Sequence, residues 1–385
     1  VSGRLLRRAC TAALAAGIAL APVPAAAEPA PGTTGDRTVA GLLTDLQRLY
    51  REAERATETY NATEERLRRQ RAEVRRLDAE LARARHSLSD SRGAAGRLAR
   101  QQYQSSSGLS PYLRLLLARD PQHAVDQGHV IGRLARERVE TVGRLTGAEK
   151  KAGELSRRSR AALARQTALA QRQEKERDGV RERLGAVEEL LASLTPDQLA
   201  AVAELERSGA AEQQERFLAS GALGDDARPS AEGDRAVRFA VEQLGKPYEW
   251  GAEGPASYDC SGLTSVAWQR AGTPIPRTSQ EQWARLEHVP LEALRPGDLV
   301  VYFPEATHVA LYLGDGMVVQ APRPGAAVKV SPIAANPVLG AVRPDPDGEP
   351  VGRYTPPRLP AGAADGSDEG YAESYAPAAP ETSAR

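Results

Sequence analysis

The sequence predicts an α+β chain in which a long α-helical coiled-coil hairpin precedes one small compact domain, and three observations carry that reading. Leucines and alanines recur in a 4,3 spacing from Leu42 to Leu88, the period that keeps one helical stripe facing a partner over many turns. Charge density falls beyond about residue 231, where Gly, Pro, Tyr and Trp appear, as expected where an extended helix gives way to a packed core. Within that second region a helical pattern opens at Cys260 and an alternating apolar strand opens at His308, so helix and sheet share one domain.

The 385 residues carry 51 Lys+Arg and 51 Asp+Glu, a balance that excludes a polycation built to coat nucleic acid. Residues 1–27 have the layout of a cleavable secretory signal: Arg4, Arg7 and Arg8, an apolar run from Ala9 to Ala21, then Ala25, Ala26 and Ala27 before Glu28. That run falls short of the ~20 residues a membrane-spanning helix needs, so the expectation is a secreted, extracellular protein with no retained anchor. Cys10 falls inside the signal and lacks the small residues before it that a lipid-attachment cysteine wants. Cys260 is then the one cysteine of the mature chain, with no partner for an internal disulfide.

The seam of the first helix runs through Leu42, Leu46, Leu49, Ala53, Ala56 and Tyr60 and on to Leu77, Leu81 and Leu88, with Arg and Glu crowding between. Its Ala, Thr and Gln members make it thin. At ~1.5 Å per residue, an unbroken helix from Leu42 to Gln102 would reach roughly 90 Å. Ser105-Ser106-Ser107-Gly108, Ser110-Pro111 and Asp120-Pro121 break the pattern around an apolar stretch, Tyr112 to Leu117. A second long helix runs to about Leu194, and two helices joined by a broken tip fold back most simply as an antiparallel hairpin. Thr195-Pro196-Asp197-Gln198 restarts helix as a capping box with Pro at the first position. The helical region therefore spans 38–220, a linker 221–233 and the compact domain 234–344; residues 345–385 hold too little apolar content to fold.

Asp259 is placed to cap the helix that begins at Cys260 and stops at Gly272. Unpaired amides and the helix dipole lower the pKa of a thiol at that position, and the thiolate is the nucleophile. The domain offers two histidines as base. His288, between Glu287 and Val289-Pro290, reads as a surface loop residue, whereas His308 opens the strand His308–Leu313. Alternation places His308, Ala310 and Tyr312 on the face opposite Val309, Leu311 and Leu313, pointing away from the core.

The next strand, Met317–Ala321, follows Gly314-Asp315-Gly316. A three-residue loop puts Gln320 on the face of His308, where its amide oxygen accepts from the imidazole and fixes the tautomer. A two-residue loop turns it to the other face, leaving an ordinary polar strand residue. One mature cysteine and scattered histidines fit no metal site. Isolated aromatics without a basic stripe argue against nucleic acid.

Five segments occur in order: Gly245-Lys246-Pro247-Tyr248-Glu249-Trp250-Gly251, Asp259-Cys260-Ser261-Gly262-Leu263, Pro276-Arg277-Thr278-Ser279, Arg295-Pro296-Gly297-Asp298-Leu299-Val300 and His308 to Gly314. Together they resemble the NlpC/p60 family of cell-wall cysteine peptidases, over roughly residues 236–342. The resemblance implies a papain-like domain with helices packed on an antiparallel sheet. In it Cys260 attacks, His308 is the base, Gln320 takes the third polar position, Tyr248 lines the nucleophile's pocket, and the Cys260 amide helps hold the oxyanion. Asp259 and Ser261 look like the family's substrate-contacting neighbours. Relatives more often carry His where Gln320 stands.

The resemblance further implies a cell-wall-associated endopeptidase that cuts peptidoglycan stem peptides, usually between D-glutamate and the diamino acid, without a cofactor. The helical half is similar to coiled coils on division-associated wall hydrolases and their activators, some of which dock on the FtsE/FtsX membrane transporter, so a partner of that kind is expected through the coil. Two alternatives stand beside this one: a scaffold or activator that binds wall peptides without cutting, and the related CHAP-type amidase, which Asp259-Cys260-Ser261-Gly262 fits less well.

Overall fold

The structure is a computed structural model that describes residues 38–105, 121–224 and 227–363. The signal with Cys10, the apolar tip from Tyr112 to Leu117 and the chain beyond 363 lie outside the described residues. No helix among those described is long and apolar enough to cross a membrane.

Among the described residues, three helices form the first half: α1 (Val39–Ser105), α2 (Pro121–Ala192) and α3 (Pro196–Ala219). The Gln70 amide donates to the Ala162 carbonyl (3.0 Å), Ser159 donates to Asp78 (2.7 Å) and Arg92 to Glu149 (3.1 Å). Partner numbers fall as α1 numbers rise, so α1 and α2 run antiparallel, the hairpin expected from the broken tip. Val74, Leu77, Leu81 and Ala84 pack on Ala152, Leu155 and Ala162. Nearer the α1 start, Leu42, Leu46 and Tyr50 pack on Val187, Leu194 and Val202. Thr195 caps α3 in the reciprocal capping box with Gln198, and α3 ends at Ser220, as the sequence indicates.

The second half adds α4 (Ala231–Glu242), α5 (Cys260–Ala271) and α6 (Ser279–Arg285), with six strands: β1 (Glu287–Val289), β2 (Leu299–Tyr302), β3 (His308–Gly314), β4 (Met317–Gln320), β5 (Lys329–Pro332) and β6 (Val338–Arg343). They form one antiparallel sheet in the order β1-β6-β2-β3-β4-β5. One face, with Leu299, Val301, Val309, Leu311 and Val319, packs on Ala236 and Val237 of α4 and on Leu263, Ala267 and Trp268 of α5.

The opposite face, with Val300, Tyr302, Ala310, Tyr312 and Val318, gathers Ile333 and Phe217 of α3. The face of His308, opposite Val309 and Leu311 as alternation predicts, is therefore a second core layer. His288 lies in edge strand β1 rather than a loop, exposed, with Nε2 2.9 Å from the Trp283 carbonyl.

Residues 345–363 depart from the expectation of an unfolded tail. Arg295 donates to Asp345 (3.0 Å) and to the Gly348 carbonyl (2.7 Å), the Val351 amide to Pro229, and the Val330 amide to Ala363. Leu359 and Ala363 cover part of the main core. Backbone hydrogen bonds and a buried arginine hold this strap where apolar content would not.

Candidate active site

Cys260 is the first residue of α5 because Asp259, in extended conformation, caps the helix: its carboxylate accepts from the Gly262 amide at 2.6 Å. Gly262 lies against the chain before it, where an added Cβ would stand 2.1 Å from the Ala252 carbonyl oxygen. This contact seats the start of α5 on the Gly251–Ala252 turn. The second Asp259 oxygen accepts from the Gly251 amide (2.9 Å) and from Arg277 (2.8 Å). Arg277 also reaches the first oxygen at 3.1 Å and donates to Ser261 Oγ at 2.9 Å. Burial works against the Arg277 charge, but Asp259, Glu58 and Glu253 outweigh it and keep the guanidinium firmly protonated.

β3 delivers His308 beside the thiol: the backbone of Val309, the next residue, hydrogen-bonds Cys260. His308 Nε2 donates to Gln320 Oε1 at 2.6 Å, and its ring lies tilted over Tyr302 with centroids 5.6 Å apart. The β3–β4 turn explains how Gln320 gets there. Gly314 pairs with Met317, so the loop has two residues, but a bulge between Tyr312 and Gly314 shifts the register, and Leu311 pairs with Val319. One extra residue in β3 restores the side-chain parity that the short loop would reverse. With Nε2 donating, Nδ1 is left as the lone-pair nitrogen, buried and without a hydrogen-bond partner. Tyr248 is buried, and the groups that raise its pKa, after burial itself, are Cys260, Asp259, Glu54 and Glu58. All the sequence-predicted site residues thus share one locality.

Helix α1 lies over this locality, which the sequence does not reveal. Between its two apolar blocks, α1 buries Glu54, Thr57, Glu58 and Asn61, positions at the i, i+3, i+4, i+7 spacing that share one helix face. Glu58 accepts from Ser261 Oγ (2.8 Å), the Ser279 amide (2.8 Å) and Ser279 Oγ (2.9 Å). Asn61 donates to Asp259 at 2.9 Å, and Glu54 stands 3.6 Å from His308 Nδ1. The signal for this contact was slight: Thr57 and Asn61 fall between the seam residues Ala56, Tyr60 and Thr63 of a stretch read as coiled coil.

Burial and the surrounding carboxylates reverse the electrostatics expected of a thiol at a helix start. Burial, followed by Glu58, Asp259 and Glu54, pushes the Cys260 thiol well above its ordinary pKa. Burial pulls His308 down to about 4, against the lifting effects of Gln320 and Asp259. Burial likewise lifts Glu54 to about 8 and raises Glu58, whose coupling to Asp259 adds to the rise. Thiol, imidazole and Glu54 are therefore all neutral at pH 7 in this arrangement, and the thiolate–imidazolium pair is suppressed. Among the described residues no cluster of His, Cys, Asp or Glu is arranged to hold a metal ion.

Residues 245–340 match the sequence profile of the NlpC/P60 family. A probable endopeptidase of Mycobacterium tuberculosis is 39% identical over 116 residues, 29% of this chain and 30% of that protein. A probable endopeptidase of Corynebacterium glutamicum is 47% identical over 96 residues, 25% of this chain and 46% of that protein. The chain thus spans less than half the length of either relative. Among solved structures, the NlpC/p60 domain of the peptidoglycan hydrolase SagA aligns at 32% identity over 29% of this chain and 97% of that one, with a TM-score of 0.28. RipD of Mycobacterium tuberculosis, described as a non-catalytic NlpC/p60 protein adapted to binding peptidoglycan, aligns at 31% identity over 29% and 96%, with a TM-score of 0.27.

Proposed function

The chain carries an NlpC/P60 domain, and from that premise we propose that it is a secreted, cell-wall-associated cysteine endopeptidase that cuts peptidoglycan stem peptides at the bond between D-glutamate and the diamino acid. The helical hairpin localises or regulates it, with a membrane protein of the FtsE/FtsX kind as the partner. The observation that supports the catalytic reading is that Cys260, first in α5, takes a hydrogen bond with the backbone of Val309, the residue after a His308 whose Nε2 is held by Gln320 at 2.6 Å.

The mechanism is acyl transfer. His308 Nδ1 takes the Cys260 proton, and the thiolate attacks the carbonyl carbon of the D-glutamyl amide. The tetrahedral oxyanion is held by the Cys260 amide, one of the unpaired donors at the start of α5. The C–N bond breaks as the imidazolium gives its proton to the leaving amine. Water, deprotonated by His308, then opens the thioester, releasing the acyl product and the thiol. Gln320 fixes the imidazole tautomer but, being neutral, stabilises the imidazolium less than a carboxylate would. Tyr248 walls the pocket, and Asp259 and Ser261 flank the nucleophile on the substrate side.

The scaffold alternative is favoured by one observation, the burial of Cys260. A single experiment separates the two. The full chain with Glu54→Lys and Glu58→Lys, in which α1 meets the charges of Arg323 near Glu54 and Arg277 near Glu58 with like charge, is incubated with purified muropeptides beside the same chain carrying Cys260→Ala. Cys260-dependent products whose masses place the cut after D-glutamate support the peptidase. Muropeptides retained uncut by the folded chain would replace it with the wall-binding scaffold.

A further inference from the structure

The balance of Arg against Glu along the hairpin breaks at one level. On α1, residues 66–76 carry six arginines against the single carboxylate of Glu73, and on α2, residues 155–173 carry five arginines and no acid. Elsewhere α1 has eight arginines to nine acids, and α2 has ten basic residues to eleven acids. The two segments lie side by side, since the Gln70 amide bonds the Ala162 carbonyl, 92 residues away in sequence. Two distant stretches of chain thus bring the same excess to one place. Like charges on paired helices repel, a cost that a plain spacer would avoid by alternating signs, as the rest of this hairpin does.

The carboxylates within reach are already engaged. Arg68 pairs with Glu253 of the second half (3.5 Å), Arg69 with Glu65 (3.3 Å), Arg76 with Glu73 (2.7 Å) and Glu80 (2.6 Å), and Arg172 with Glu176 (2.6 Å). The hydrogen bond from Arg76 lowers the pKa of Glu73, and the charges of Arg158 and Arg165 on the facing helix add to that effect. Among the described residues, Arg66, Arg71 and Arg75 of α1 and Arg157 and Arg160 of α2 have neither hydrogen bond nor ion pair, and all five are exposed. The three on α1 follow one another at roughly 7.5 and 6 Å along the axis. Glu253 also accepts from Arg277 at 2.8 Å, so the band lies beside the arginine that holds the Asp259 cap.

We propose that this arginine band is a docking surface for a linear, phosphodiester-linked anionic polymer of the cell wall, held alongside the peptidase domain. The proposal rests on the cell-wall part of the function proposed above and is independent of catalysis. Guanidinium groups spread along a rod suit a chain of single, regularly repeated charges, because each can fork onto one phosphate. A lipid surface fits less well. A helix lying on a bilayer needs an apolar face beside its basic one, whereas Leu67, Val74, Leu155 and Ala162 are buried at this level and Leu163 is the one large apolar side chain exposed. Nucleic acid fits less well too, since neither segment holds an aromatic side chain on which a base could stack.

The test is a fluorescence-anisotropy titration of labelled poly(glycerol phosphate) with the full chain, in which two variants of equal net charge are compared. One carries Arg66→Gln, Arg71→Gln, Arg75→Gln, Arg157→Gln and Arg160→Gln. The other carries the same change at five exposed arginines outside the band, Arg83, Arg85, Arg97, Arg133 and Arg136. Circular dichroism confirms helix content in both. With five phosphates engaged, the affinity of the unsubstituted chain should fall roughly 10²-fold between about 50 and 200 mM salt. The band variant should bind at least about tenfold more weakly, with a shallower salt dependence, and the control variant should stay within about twofold. Equal weakening of both variants would reduce the effect to net charge and overturn the proposal. So would an unsubstituted chain that does not bind at low salt, or one that binds phosphatidylglycerol vesicles, a single-stranded oligonucleotide or uncrosslinked glycan–peptide strands more tightly than the polymer. Cys260→Ala should leave the titration unchanged, so polymer binding by a chain that cuts no muropeptide would keep the band and sink the peptidase, and cutting without polymer binding would do the reverse.

Discussion

The carboxyl of Glu54 should make the seating of α1 depend on pH. In the docked state it faces His308 of β3, Arg323 after β4, and Glu58 and Arg51 of its own helix; burial dominates and lifts its pKa from 4.5 to about 8. Each unit is worth about 1.36 kcal/mol, so 3.5 units correspond to about 5 kcal/mol of docking free energy, an upper bound because Glu58 and Arg51 stay nearby on the freed helix. The sign follows from proton counting. Between about pH 4.5 and 8 the docked state keeps the Glu54 proton and the undocked state loses it, so docking is fully supported below 4.5 and weakens as pH rises through 8. His308, depressed to about 4, works the other way: neutral only when covered, it weakens docking as pH falls from 6.5 to 4. Glu54→Gln keeps the shape of the protonated side chain and removes its titration. The ratio of Cys260 alkylation rates, unsubstituted over Glu54→Gln, cancels the contributions of His308 and of the thiol common to both. That ratio should stay near one at pH 4.5 and climb by roughly 10²–10³ toward pH 8. A ratio flat with pH would refute a protonated Glu54 in the seat.

Other perturbations follow from the same geometry. Measured in the Glu54→Lys/Glu58→Lys chain, His308→Ala should remove most turnover, a loss on the order of 10²–10⁴, whereas Gln320→Ala removes one hydrogen bond to a neutral ring and should cost about tenfold; equal losses would mean that Gln320 does more than orient the imidazole. Arg277→Ala strands the buried Asp259 carboxylate and should destabilise the domain by about 3–5 kcal/mol in urea denaturation, with Arg277→Lys failing to restore it because a single ammonium cannot reproduce the two-pronged contact; an unchanged midpoint for either contradicts that role. Gly262→Ala forces a Cβ against the Ala252 carbonyl and should cost about 1–3 kcal/mol, seen as a lowered melting temperature, whereas Gly272→Ala meets no neighbouring atom and carries only the strain of its left-handed backbone.

Local signals made much of this molecule legible from sequence. The Thr195 box, the Asp259 cap and the Gly272 stop are encoded within a few residues of where they act, and the structure repeats them. The hairpin followed from heptads on either side of a broken tip. Gln320 was half legible: the turn has the two residues that would misplace it, and a bulge that no local pattern announces returns it to His308. The helix-start argument for the thiol considers α5 alone, whereas burial dominates and the carboxylates of Glu58 and Glu54, on a helix some 200 residues earlier, add to it. Glu54 and Glu58 resemble every other surface glutamate of an Arg/Glu-rich coil, and only their docking on Ser261, Ser279 and His308 separates them. The strap at 345–363 was missed for a related reason: backbone carbonyls, which composition does not count, hold it to Arg295, Pro229 and Val330.

The claim at the centre is that Cys260 carries the acyl group of a cut stem peptide. The most direct measurement is intact-protein mass spectrometry of the Glu54→Lys/Glu58→Lys chain quenched in acid shortly after mixing with a stem peptide. The account predicts a transient adduct on Cys260 with the mass of the fragment ending in D-glutamate, absent when Cys260 is alanine. Cleavage that persists with Cys260→Ala, or a folded Glu54→Lys/Glu58→Lys chain that shows neither adduct nor product, would contradict it.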